Sequence, residues 1–146
     1  MSHRVQQILN AAAAALSANA SLGAIVEVNR VRSLSEEQAE LPVVTVNYGA
    51  DAPDDGDLDS FRSTIEVHLT AVCTGESETE VLSRLLDIRT QCHIALMADM
   101  SLGLSFVWHT AYGGADAPFL QQAERMLGSL TARWGVRYIM NISDPS

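Results

Sequence analysis

Two stretches of strict two-residue alternation constrain this 146-residue chain more than any other feature. In the first, residues 61–72, Phe61, Ile65, Val67, Leu69 and Ala71 fall on one side, and Arg62, Thr64, Glu66, His68 and Thr70 on the other. In the second, Leu130, Ala132, Trp134, Val136, Tyr138 and Met140 alternate with Thr131, Arg133, Gly135 and Arg137. Successive side chains of a strand point to opposite faces, so each stretch predicts a long strand with one buried face and one polar face. A sheet built from such strands needs cover on one side only, which argues for antiparallel pairing.

The cover is legible as two helices. Across residues 3–19, Val5, Ile8, Leu9, Ala12 and Leu16 recur at three- and four-residue steps, and the alanine run favours helix. The second helix starts at Ser77-Glu78-Thr79-Glu80, a capping box, and runs to about residue 98. Val81, Leu85, Ile88, Cys92 and Ala95 form its apolar stripe. Both helices end at a Ser-Leu-Gly triplet, 21–23 and 101–103, consistent with one turn type used twice. Further strands are expected at 24–31, at 43–48 behind Pro42, and at 104–112, where Trp108 falls in phase with Leu104 and Phe106. Residues 50–59 and 112–118 read as loops, and the last strand spans about 122–140. The expectation is an α+β fold of one domain, residues 1–146. Two helices pack on one face of a mostly antiparallel sheet of about five strands, in the order α-β-β-β-α-β-β, with a short polar tail at 141–146.

Composition removes several functions. Nine basic residues stand against eighteen acidic ones, for a net charge of -9, and every basic residue is an arginine. Without lysine there is no P-loop lysine and no Schiff-base lysine. The negative balance disfavours a nucleic-acid grip, which needs a basic footprint. No apolar run approaches the ~18 residues of a membrane span, and no signal core opens the chain, so a soluble protein made inside the cell is expected. Cys73 and Cys92 form no CxxC pair and are expected reduced.

Motifs for chemistry fail one by one. Aligning Gly56 with the invariant glycine of a calcium loop puts Pro53 third and Arg62 twelfth, and neither side chain ligates. His3, His68, His93 and His109 make no HxH or HExxH pattern. Cys92 and His93 are helix neighbours pointing about a hundred degrees apart, poor geometry for a nucleophile and its base. GxSxG and GxGxxG are both missing. Glu27, Glu66 and Glu124 are expected on strands facing solvent or arginine, and Trp108 and Trp134 in the core. No enzyme, cofactor or metal is expected.

Charge segregation remains. Arg30 and Arg32 share a face at one strand end, and Arg133 and Arg137 share the polar side of the last strand. Asp51, Asp54, Asp55, Asp57 and Asp59 crowd the 50–59 stretch. Arginines and aspartates separated in this way suit complementary contacts between repeated subunits.

The order of these elements resembles the tail terminator proteins of long-tailed bacteriophages, the lambda-type family. The likeness rests on the N-terminal amphipathic helix, the acid-apolar-Pro strand entry at residues 40–46, and the acidic loop leading into residues 63–69. The capped helix and the closing strand at 132–140 complete it, and together they cover about residues 3–142. The resemblance implies a virion protein at the head-proximal end of the tail, assembled in the host cytoplasm. Such a protein forms a homohexameric ring on the tail tube and stops polymerisation of the major tail tube protein. It then docks the neck or head-completion protein, with the tape measure protein as a further candidate partner, and DNA only passes through the channel. No membrane is involved. The alternative is another neck or head–tail connector protein of a phage-like particle. The family offers no functional side chains to carry over. The candidate interface residues, Arg30, Arg32, Asp51, Asp54, Asp55, Asp57, Asp59, Arg133 and Arg137, therefore come from charge pattern alone.

If residues 54–57 form a solvated loop, their deletion leaves the fold intact. Thermal unfolding of the deleted chain should match the parent, and a large fall in Tm would contradict the loop reading.

Overall fold

A computed structural model describes residues 4–28, 42–53, 62–122 and 125–139, with the side chains of 50–53 outside the description. The elements are α1 (Arg4–Ala18), β1 (Ile25–Val28), β2 (Val43–Pro53), β3 (Arg62–Gly75), α2 (Glu78–Met97), β4 (Val107–Ala115), β5 (Phe119–Gln122) and β6 (Met126–Ile139). They form one six-stranded sheet in the order β1-β2-β3-β6-β4, with β5 also on β6. The two alternating stretches become β3 and β6, each 14 residues long and paired antiparallel at every position from Arg62↔Ile139 to Gly75↔Met126. Only β1 and β2 run parallel, so the sheet is mostly antiparallel as expected.

Both helices lie on the same face. Ile8, Leu9, Ala12 and Leu16 of α1 are buried, and Val81, Leu85, Ile88, Cys92 and Leu96 of α2. Leu96 takes the last place of that stripe rather than Ala95, which is half-buried. The helices meet Val44 and Val46 of β2, Ile65, Val67, Leu69 and Ala71 of β3, and Leu130, Ala132, Trp134, Val136 and Tyr138 of β6 in one core. Burying each large side chain here contributes about 1.5–3 kcal/mol before chain entropy is subtracted. Asn19, just past α1, donates to the Gln91 carbonyl at 3.1 Å and ties the two helices together.

Local chemistry sets the helix ends. The Ser77 hydroxyl accepts from the Glu80 N–H at 3.2 Å, the first half of the capping box. The second half is displaced by one residue: the Glu80 carboxylate accepts from the Glu76 N–H at 2.9 Å. The two Ser-Leu-Gly turns share a left-handed glycine, with φ 62° at Gly23 and 71° at Gly103. Leu102 is also left-handed, φ 54°, and its counterpart Leu22 is not, so the two turns differ in backbone.

Several expectations are corrected. There are six strands, in the order α-β-β-β-α-β-β-β, because residues 119–122, just ahead of the expected strand at 122–140, form β5 and pair with β6. Residues 112–115 belong to β4, and residues 50–53 extend β2, opposite Ser63, Thr64 and Ile65. Both extensions pass a register shift, at Tyr48/Asp51 and at Tyr112/Gly114, and such bulges let a strand continue through residues that read as loop. Another shift between Val107 and His109 turns Trp108 out of the core, leaving it exposed beside Arg62, whose guanidinium sits 4.1 Å from its ring centre. Trp134 is fully buried as expected.

Where α2 crosses β6, Gly128 leaves no room for a side chain. A Cβ there would collide with a Val81 methyl and lie 2.9 Å from Leu120 Cδ2. Gly135, on the opposite face, would place its Cβ at an ordinary 3.4 Å from Thr64. Gly128→Ala should therefore cost about 1–3 kcal/mol by overpacking, whereas Gly135→Ala should be neutral or slightly stabilising, as read by urea denaturation. Equal effects would contradict this packing.

Candidate assembly surface

The parity that sends Ile65, Val67, Trp134 and Val136 toward the helices sends Thr64, Glu66, His68, Thr70, Thr131, Arg133 and Arg137 to the opposite, distal face. The register arranges these residues in rows. Thr45, Thr70 and Thr131 are neighbours across three strands, and the Thr70 and Thr131 hydroxyls are 3.0 Å apart. Next come Asn47, His68 and Arg133, then Thr64, Arg137 and His109, then Arg62 with Ile139. At the other end the face becomes apolar, with Val43, Val72 and Leu127 buried.

The charged rows are only partly neutralised. His68 Nε2 is 3.0 Å from the Glu66 carboxylate, and the His68 ring covers Gly49. Arg133 donates to Asp116 at 2.9 Å, at the break between β4 and β5. Arg137 is exposed and has no carboxylate partner among the described residues. Together with Arg62, Trp108 and His109 it makes a cationic, aromatic corner. Among the described side chains the distal face thus holds Arg62, Arg133 and Arg137 against Glu27, Glu66 and the Asp116 that pairs with Arg133, a local balance in a chain whose net charge is -9. The rest of the sequence carries the other six arginines and fifteen acidic residues.

Of the sequence candidates, the structure puts Arg133 and Arg137 on this one face, each two positions from Gly135. Asp51 lies in β2 opposite Ile65, and its side chain is outside the description. Arg30, Arg32, Asp54, Asp55, Asp57 and Asp59 lie outside the described residues. Arg62, His68, Trp108 and His109 were missed as members. Their signal was parity, visible for Arg62 and His68 within β3, but joining them to Arg133 and Arg137 requires the β3–β6 register. His68 and His109 do not meet, because β6 runs between them.

Among the described residues no three His, Cys, Asp or Glu side chains gather as a metal site. No helix among them is long and apolar enough to cross a membrane. Cys73 and Cys92 are free and buried. Burial pushes the Cys73 thiol up from 9.0 to about 11, with the Arg84 charge pulling back and Glu80 adding to the rise. Burial alone pushes Cys92 to about 12. Both thiols are therefore protonated at neutral pH and poor nucleophiles. Compared with known proteins, the sequence matches no family model and no curated protein.

The raised thiol values have a consequence for stability. The folded state holds both protons above pH 9, where the unfolded chain releases them, so stability is full below about pH 9 and falls as pH rises toward 11. Denaturation midpoints measured from pH 8 to 11 should decline, and Cys73→Ser/Cys92→Ala should flatten that decline. A decline unchanged in the double variant would assign it to other groups.

Proposed function

We propose that this chain is a structural subunit that closes the end of a phage tail tube as a ring, halts tube growth and offers its outer surface to the neck. The observation that carries the reading is the uneven sheet. One face is sealed by two helices, and the other presents arginine-rich rows in an otherwise acidic chain. A head-to-tail contact between unlike surfaces makes a ring when its rotation closes. An arginine-bearing sheet face on one copy and an acidic surface on the next are such unlike surfaces. The absence of lysine and the net charge of -9 suit a channel that DNA passes without sticking. The weak case for a reactive thiol fits a protein that works by occupying a tube end rather than by catalysis. The pattern likeness to tail terminators supplies the tube and the neck as partners.

The test is tail length by negative-stain electron microscopy after inactivating the gene in its source phage. Overlong tubes without heads are the expected result. Tails of normal length that fail to join heads would make the chain a connector instead, and unaltered particles would overturn both readings.

A further inference from the structure

A separate feature lies on the helix side of the sheet, away from the arginine rows. Arg89 and Thr90 of α2, with His93 one turn on, line a cleft of about 230 Å³ whose other wall is Tyr112 of β4. Trp134 lies behind it: its ring centre is 5.3 Å from that of Tyr112 and 6.2 Å from that of His93. The His93 and Tyr112 rings meet edge to face at 5.6 Å.

The hydrogen bonding in this aromatic cluster has a direction. Trp134 Nε1–H donates to His93 Nδ1 at 3.3 Å. An indole nitrogen can only donate, so Nδ1 carries the lone pair and the neutral ring bears its proton on Nε2. The Trp134 contact thus leaves His93 a donor on its other edge. Arg89 adds a guanidinium with no carboxylate partner among the described residues. The Thr90 hydroxyl donates back to the Leu86 carbonyl at 2.9 Å, as helix threonines do. Among the described residues, no acidic side chain lines the cleft. Two donors, one of them cationic, beside aromatic walls select an anion attached to an apolar body. The volume is below the ~300 Å³ where drug-sized pockets begin, and it suits one side chain.

We propose that the cleft between α2 and β4 binds an apolar group that ends in a carboxylate, with Arg89 and His93 Nε2–H holding the anion and Tyr112 the apolar body. The chemistry fits the C-terminal residue of a polypeptide or a free aryl acid of the same size. This site does not depend on the ring reading.

The two indole N–H resonances, Trp134 behind the cleft and Trp108 at the far corner, give an internal control in a ¹H–¹⁵N spectrum. Three probes are titrated: N-acetylphenylalanine, its amide, and an acetylated hexapeptide ending in phenylalanine with a free carboxylate. N-acetylphenylalanine should move the Trp134 signal and leave Trp108 in place, and the amide should bind at least about tenfold more weakly. Arg89→Gln should weaken the acid by about tenfold with Tm unchanged, and Thr90→Leu should block the cleft. Tighter binding of the hexapeptide by tenfold or more assigns the site to a polypeptide end, and equal binding assigns it to a small acid. An unmoved Trp134 signal, equal binding of acid and amide, or wild-type binding by Arg89→Gln would each overturn the proposal.

Discussion

The pairing of β3 with β6 is the constraint on which the rest of the molecule depends. Fourteen consecutive partners without a register shift lock the parity of both strands together. A slip of one residue would carry Trp134 and Tyr138 to the distal face and Arg133 and Arg137 into the core. Burying those arginines without partners costs far more than any local propensity can return. The register therefore decides at one stroke where the helices sit and which face stays polar.

That constraint explains what the sequence disclosed and what it withheld. The β3 and β6 alternations were legible because period-two patterning is a direct record of one-sided burial. Both helices were legible from their stripes, and the Ser77 cap from its residue type. The edge strands were not. In β4, two register shifts, Gly113 and Gly114, and the exposed Trp108 erase the alternation, so the segment reads as strand and then loop at the wrong place. Pro118, between β4 and β5, looks like an ending, yet it only breaks one edge of β6 into two pieces. The parallel pairing of β1 with β2 leaves no local mark, since direction is a property of the crossover rather than of either strand.

The candidate surface was half legible for the same reason. Arg133 and Arg137 share parity within one strand and were found together. Their neighbours Arg62 and His68 lie about seventy residues away in the chain and join them only through the sheet. The arginines at 30 and 32 and the aspartates at 54–59 remain sequence candidates, outside the described residues. In an acidic chain, a face that gathers three arginines is the one the proposed ring would use against a second copy. The two faces of the sheet are built differently: the helix face is filled to the point where Gly128 admits no methyl group, while most polar side chains of the distal face keep intermediate exposure.

The most direct measurement of this account is sedimentation velocity over a concentration series, at low and high salt, for the parent chain and for Arg133→Glu/Arg137→Glu. The account predicts salt-sensitive self-association of the parent, and a double variant that stays monomeric with its unfolding transition unchanged. Assembly of the variant equal to the parent at both salt concentrations would contradict it and remove the distal face from the subunit contact.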